Sequence, residues 1–143
     1  MSISDSDKHF ASAITEYVKR LGGDVTLTNI KPVKNGSHEQ IIAAETQVLI
    51  DQINKRSVAT YLLSKEGKSL TTEQFAKLVP KHDHHLCFII WWPYGINETI
   101  ILPHIQGRLS FGQITMPHGL AKLVLIEQIY RIGQISQGRQ YHY

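Results

Sequence analysis

The sequence lacks the features that mark several large classes of protein. Its 143 residues contain one cysteine, Cys87, so no internal disulfide can form, and the apolar run around it favours a reducing compartment. No apolar run approaches the roughly 18 residues that a membrane-spanning helix needs. The N-terminus lacks the apolar segment of a signal peptide. We therefore expect a cytoplasmic protein with no membrane partner.

Signatures of common enzyme classes are also missing. The sequence has neither a Walker loop nor a G-x-G-x-x-G pattern, which disfavours nucleoside triphosphate and dinucleotide binding of the usual kind. Ser37, Ser64 and Ser110 lie outside any G-x-S-x-G context, so a hydrolase triad is unsupported. Residues 82–85 read His-Asp-His-His, but adjacent side chains do not easily converge on one ion, so we expect a solvated turn and no metal.

Charge is nearly balanced, with 15 basic and 12 acidic residues and a net charge of +3. This mild basic excess is compatible with a polyanionic partner but does not require one. Six basic residues fall near predicted loops or helix ends and could form one phosphate-contacting rim, although scattered solubilising charge is the alternative. They are Lys19, Arg20, Lys31, Lys34, Lys65 and Lys68.

Apolar content of 42% and charged content of 19% are ordinary for a globular protein, and the length predicts one domain over residues 1–143. Helical and strand-like segments alternate, which predicts an α/β protein with a parallel sheet and helices on both faces. The predicted helices are 6–21, 37–54, 71–79, 97–104 and 117–135. The predicted strands are 24–30, 58–63, 86–92 and 109–114, of which 86–92 is the most apolar and the best candidate for the centre.

Local signals support two of these helices. Ser37 with Gln40, and Thr71 with Gln74, have the spacing of capping boxes. The buried face of the helix over 37–54 is predicted to contain Ile41, Ala44, Val48, Leu49 and Ile53. The last helix is apolar around much of its circumference, which predicts burial on two sides and hence a subunit contact.

Several motifs follow one another in a characteristic order. Leu62-Leu63 is followed by Gly67-Lys68 and a short helix at 72–76, and a strand ends in a turn at 90–95. A Thr-Met-Pro-His turn at 115–118 then opens a helix that carries Glu-Gln-Ile-Tyr-Arg at 127–131. This order resembles the SPOUT-class RNA methyltransferases, in particular the small bacterial enzymes that methylate N3 of a pseudouridine in large-subunit ribosomal RNA.

The resemblance implies a parallel α/β sheet with a C-terminal trefoil knot, a homodimer, a ribosomal RNA substrate within the ribosome, and S-adenosylmethionine as the cofactor. The adenosine end of that cofactor would lie among three backbone loops, whose apolar walls and uncharged backbone groups suit a purine. The matching positions are Leu63, Trp92, Gly112, Gln113, Ile114, Thr115, Met116 and Pro117.

The resemblance also assigns candidate catalytic residues in the tail. His142 is the candidate base or base-orienting group, because histidine titrates near neutrality. Tyr141 is the candidate for stacking on or hydrogen-bonding the target nucleotide. For each residue the alternative is structural: a tail residue without a role for His142, and a packing anchor for Tyr141.

Two departures from the family pattern support a second hypothesis. Trp91 and Trp92 occupy a turn where the family has two glycines, and the chain begins almost directly at its first helix, as if the first strand were missing. The alternative to the enzyme is therefore a non-catalytic relative that dimerises and binds RNA or protein. A generic α/β binding module is the third option.

Three other polar residues have structural interpretations. Glu127 is expected to form an ion pair with Arg131 on the same helix, with a pair across a dimer seam as the alternative. His118 is expected to be structural at the first turn of the last helix, and His104 to lie on the surface.

Overall fold

A computed structural model of the chain describes residues 2–3, 8–81, 85–90 and 95–139, without the side chains of residues 2, 3, 8 and 80. The strands are β1 (Ser2–Ile3), β2 (Asn29–Ile30), β3 (Ala59–Ser69), β4 (Leu86–Ile89) and β5 (Gly107–Ser110). The helices are α1 (Lys8–Arg20), α2 (His38–Arg56), α3 (Thr72–Lys81), α4 (Glu98–Ile101) and α5 (His118–Ser136), and a 3-10 turn, Leu102–His104, follows α4.

The described strands form a three-stranded sheet in the order β4-β3-β5 and a separate pair, β1-β2. All of these pairings are parallel, which confirms the predicted parallel α/β architecture. The central strand is β3, so the placement of β4 at the centre was wrong for this sheet. The apolar run of β4 reflects packing on both faces, since Ile89 belongs to one apolar cluster and the partly buried Leu86 and Phe88 pack against the other.

A short strand precedes the first helix, contrary to the expectation that this strand is missing. In β1, Ser2 pairs with Asn29 and Ile3 pairs with Ile30. Of the predicted strand 24–30, only Asn29 and Ile30 form a strand, because only these two residues pair with β1. The rest of that alternating segment has no strand pairing among the described residues.

The pairing of β3 with β5 has an unusual register. Leu109 of β5 pairs with Leu63 and again with Lys68, and residues 64–67 leave the ladder between these two positions. Within that excursion, Gly67 lies against the backbone of Leu109. The sequence predicted that the strand ends at 63 and a loop follows, but the strand resumes after the excursion.

The two capping boxes are confirmed. The Gln40 backbone N–H donates to Ser37 Oγ at 3.3 Å, and the Ser37 backbone N–H donates to Gln40 Oε1 at 2.9 Å. The same reciprocal pair joins Thr71 and Gln74, at 3.2 and 2.9 Å. These bonds satisfy amide groups that have no partner inside the first turn of a helix.

The core consists of two apolar clusters on opposite faces of the sheet. Tyr61 belongs to one cluster and Leu62 to the other, as expected for neighbours on a strand. The Leu62 cluster includes residues of α2 and α4, and the Tyr61 cluster includes residues of α3 and α5. The prediction of helices on both faces is therefore confirmed.

The buried face of α2 differs from the predicted one. Ile41, Leu49 and Ile53 are buried as expected, but Ala44 and Val48 are exposed. Glu45 and Thr46 are buried instead, each 1% exposed. Backbone N–H groups of Val33 and Asn97 donate to these two side chains and make their burial possible.

Helix α5 packs against α3 and α1. Tyr17 of α1 and Tyr130 of α5 meet edge to face, with ring centroids 5.6 Å apart. In the described part of the chain, no helix is both long enough and apolar enough to cross a membrane.

Candidate ligand site at the carboxyl ends of the strands

A cavity of about 350 Å³ opens where the parallel strands point their carboxyl ends. Parallel α/β sheets place their ligands at this edge, because the loops that leave the strands diverge there. Three segments supply most of the lining: residues 62–65 of β3, residues 95–98 before and at the start of α4, and residues 109–116 from β5 towards α5.

Five of the eight predicted cofactor residues line this cavity: Leu63, Gly112, Ile114, Thr115 and Met116. Two others, Gln113 and Pro117, are not part of the lining. Pro117 instead precedes α5, where its carbonyl accepts the first hydrogen bond of the helix from the Ala121 N–H at 3.0 Å. Trp92 lies outside the described residues, as does Trp91.

The loop after β5 is shaped by a local hydrogen-bond pair. Ser110 Oγ accepts from the Gly112 N–H at 3.1 Å and donates to the Gly112 carbonyl at 2.8 Å. Gly112 has a φ of 115°, a conformation that residues with a side chain rarely adopt. The turn exposes 81% of Ile114 at the mouth of the cavity, so an apolar side chain is available to a bound ligand.

The sequence did not reveal the principal charged group of the site, which is the Glu98 carboxylate. Its Oε1 accepts from Ser64 Oγ at 2.8 Å, and its Oε2 accepts from Arg108 Nη1 at 2.6 Å. Glu98 and Ser64 both line the cavity. The three residues lie on three different elements, with Ser64 34 residues and Arg108 10 residues from Glu98, so no local pattern could have grouped them.

Asn97, next to Glu98, fixes the start of α4. Its side chain accepts from the Ile100 N–H at 3.2 Å and caps the helix. The Asn97 backbone N–H donates to Thr46 Oγ1 of α2 at 3.0 Å. One residue earlier, Glu45 Oε1 accepts from the Val33 N–H at 2.9 Å. One turn of α2 therefore accepts hydrogen bonds both from the segment beside the cavity and from the loop between β2 and α2.

The other polar residues considered from the sequence lie in three different environments. His118 is 7% exposed at the first residue of α5 and contributes to the cavity lining. His104 is exposed, as predicted. The predicted pair on α5 is confirmed, with Arg131 Nη2 2.7 Å from Glu127 Oε1. Pairing of Glu127 across a dimer seam stays a prediction.

All six basic residues of the predicted rim are exposed, and Lys65 also lines the cavity. Arg20, however, also makes intramolecular contacts at the surface. Its Nε lies 2.9 Å from Glu16 Oε1, and its guanidinium lies over the rings of Tyr17 and Tyr130, 5.6 and 6.0 Å from their centroids. That the six basic residues form one phosphate-contacting rim stays a prediction.

The candidate catalytic residues Tyr141 and His142 lie outside the described residues. Of the turn predicted at 82–85, residues 82–84 lie outside them too, and His85 is described as exposed. Among the residues that the structure does describe, no three His, Cys, Asp or Glu side chains are grouped as a metal site would require.

The sheet and the cavity define a small parallel α/β protein with a partly apolar ligand site at the carboxyl ends of its strands. The family to which it belongs follows from comparison with known proteins. A family model described as "Predicted SPOUT methyltransferase" matches residues 2–142, and the chain belongs to this family.

Curated relatives cover almost the whole chain. A "Ribosomal RNA large subunit methyltransferase H" of Lysinibacillus sphaericus is 35% identical over 147 residues, which span 95% of this chain and 92% of the relative. Proteins of the same name from Listeria monocytogenes and Carboxydothermus hydrogenoformans are 32% and 31% identical, with the same coverage.

Proposed function

We propose that this protein is a methyltransferase that transfers a methyl group from S-adenosylmethionine to a pseudouridine of large-subunit ribosomal RNA. Membership of the SPOUT family and the names of the curated relatives support this proposal. The observation that carries it structurally is the cavity beside β3 and β5, which gathers five residues that the family resemblance selects for the adenosyl group.

The lining residues suit that ligand. A volume of about 350 Å³ lies within the range of roughly 300–1,000 Å³ that is typical of small-molecule sites. Leu63, Ile96 and Met116 offer apolar surface for a purine, and the loop backbone around Gly112 offers uncharged donors and acceptors. When bound, the cofactor would supply a methyl group on a sulfonium, which must lie in line with the acceptor nitrogen at about 3 Å.

We assign the acceptor side to the tail on the basis of the family resemblance. His142 would accept or orient the N3 proton of the target base, and Tyr141 would hold the base after it leaves its stack. A ribosomal substrate would place the protein in the cytoplasm. The C-terminal trefoil knot and the single domain over residues 1–143 stay predictions.

We further propose a homodimer that forms through α5. The helix has few charged residues, and a single small domain offers little surface for RNA unless a second copy contributes. Sedimentation equilibrium at micromolar concentration tests this point, and a monomer at all concentrations would contradict it.

Titration calorimetry and a methylation assay test the catalytic proposal. We expect S-adenosylmethionine to bind with a micromolar Kd and to label large-subunit RNA in ribosomes from cells that lack the modification. His142→Ala should remove most of the labelling and leave cofactor binding intact. The exposed His104→Ala variant is the matched control and should keep both. A wild-type protein that binds no cofactor at millimolar concentration would refute the proposal.

A variant of the tryptophan turn separates the enzyme from the non-catalytic alternative. If Trp91 and Trp92 block the cofactor site, replacing both by glycine should increase affinity for S-adenosylmethionine. If both rings contribute to a working site, affinity is already present in the wild type and should fall in the variant.

A further inference from the structure

Two hydrogen bonds hold the Glu98 carboxylate at a defined position in the cavity wall. It is held by two donors from two other elements, Ser64 Oγ at 2.8 Å and Arg108 Nη1 at 2.6 Å. The side chain is nevertheless 33% exposed and faces the cavity. The carboxylate is therefore fixed in place and still accessible to a ligand.

Each carboxylate oxygen of Glu98 has acceptor capacity left. An ionised carboxylate offers about four lone-pair sites on its two oxygens. Ser64 occupies a site on Oε1, and Arg108 occupies a site on Oε2. With respect to the described residues, one acceptor site remains on each oxygen, which suits two hydroxyl donors on neighbouring carbon atoms.

The surroundings favour neutral donors over a cation. The Arg108 guanidinium lies 2.6 Å from the carboxylate and offsets its negative charge, so a ligand ammonium would gain little attraction there. The neighbouring wall is apolar, with Leu62 and Ile96. A neutral group with two donors and an apolar edge fits this wall, and a ribose ring is such a group.

We propose that Glu98 recognises the 2′- and 3′-hydroxyl groups of the ribose of an adenosyl ligand, and that it makes the site selective for ribonucleosides over deoxyribonucleosides. Acidic side chains perform this task at the ribose of dinucleotide sites in other parallel α/β proteins. The inference rests on the proposed function, because it takes an adenosyl group as the ligand. Ser64 and Arg108 are positioning residues that act through Glu98.

Titration calorimetry with S-adenosylhomocysteine and its 2′-deoxy and 3′-deoxy analogues tests the proposal. For the wild type we expect each missing hydroxyl to weaken binding about tenfold or more, as for a hydrogen bond to a charged group. Glu98→Ala removes both hydrogen bonds, so it should weaken binding of S-adenosylhomocysteine about a hundredfold and binding of each mono-deoxy analogue, which keeps one hydroxyl, only about tenfold. Glu39→Ala, which removes an exposed carboxylate on α2, should change none of these affinities.

The outcomes distinguish a failure of the role proposed for Glu98 from a failure of the proposed function. Equal losses for the parent ligand and its analogues in Glu98→Ala would show that Glu98 only supports the wall, and would overturn this inference alone. So would a wild-type protein that does not distinguish the three ligands. A wild-type protein that binds none of them would refute the proposed function as well. If Glu98→Ala does not fold, Glu98→Gln tests the same point, since its amide keeps one acceptor and should reduce the preference for the ribose form.

Discussion

Gly67 and Leu109 approach so closely that their backbones leave no room for a side chain between them. A Cβ atom on Gly67 would lie 2.5 Å from the Leu109 carbonyl carbon and 2.6 Å from its oxygen. The φ of Gly67 is not in the left-handed region, so close approach and not backbone conformation requires glycine here. This contact fixes the path of residues 64–67 beside the cavity.

Gly67→Ala should therefore destabilise the fold. Backbone atoms cannot move aside as a flexible side chain can, so we expect a loss of about 3 kcal/mol or more in the free energy of unfolding. Urea unfolding followed by circular dichroism measures it. Gly107→Ala on β5 is the matched control, because its Cβ would meet Tyr61 at an ordinary 3.8 Å. Equal stability of the two variants would contradict the close approach.

Gly112→Ala should lower both the stability of the fold and the affinity for the ligand. Its φ of 115° is strained for any residue with a side chain, but apart from its chain neighbours no atom of the described residues lies within 4 Å of the added Cβ. The turn between β5 and α5 would relax at a cost of about 1–3 kcal/mol, and the cavity wall would shift with it. We expect affinity for S-adenosylhomocysteine to fall at least tenfold in calorimetry. Unchanged affinity would show that this turn does not shape the site.

Glu45 should order the loop between β2 and α2. Its Oε1 accepts from the Val33 N–H, and its buried Oε2 has no hydrogen-bond partner within the described part of the chain. Glu45→Ala leaves the Val33 amide without this acceptor, which should cost about 1–3 kcal/mol and expose the amide to hydrogen exchange. Glu45→Gln retains an acceptor and should preserve the protection of Val33.

Hydrogen exchange measured by NMR distinguishes these variants. Glu39→Ala, at an exposed position on the same helix, should leave Val33 protected and change stability by less than about 1 kcal/mol. Persistent protection of Val33 in Glu45→Ala would mean that other contacts order the loop.

Tyr61 should give the fold a pH dependence in the alkaline range. Burial raises the pKa of its phenol above the ordinary value of 10.0. The unfolded chain then loses this proton at a lower pH than the folded chain does, so stability is fully present below about pH 10 and falls as the pH rises towards the folded pKa. Tyr61→Phe should remove part of this decline. Urea unfolding at a series of pH values from 9 to 11 measures the difference, and parallel curves would contradict the burial effect.

The sequence predicted the helices better than the strands. Capping residues such as Ser37 and Thr71 act within one turn, so the start of α2 and α3 could be read from adjacent positions. The extent of β3 depends on its pairing with β5, far along the chain, and no local pattern shows that the strand resumes after Gly67. The central place of β3 is likewise a property of the assembled sheet.

The part of the candidate site that one loop supplies could be predicted from the sequence. The part that residues from several elements form together could not. Gly112, Thr115 and Met116 lie in one loop and could be identified together through the family pattern. Glu98 meets Ser64 and Arg108 only because α4, β3 and β5 converge in the fold. Such a cluster is visible in three dimensions alone.

The adjacent positions of Glu45 and Thr46 have a mechanical consequence. Thr46 anchors residue 97 beside the cavity, and Glu45 anchors residue 33 on the other side of the same helical turn. Any ligand that pushes residues 95–97 outward must stretch the bond at Thr46. Because both bonds are made by neighbouring residues of one helical turn, the cavity wall and the segment around residue 33 share a single support.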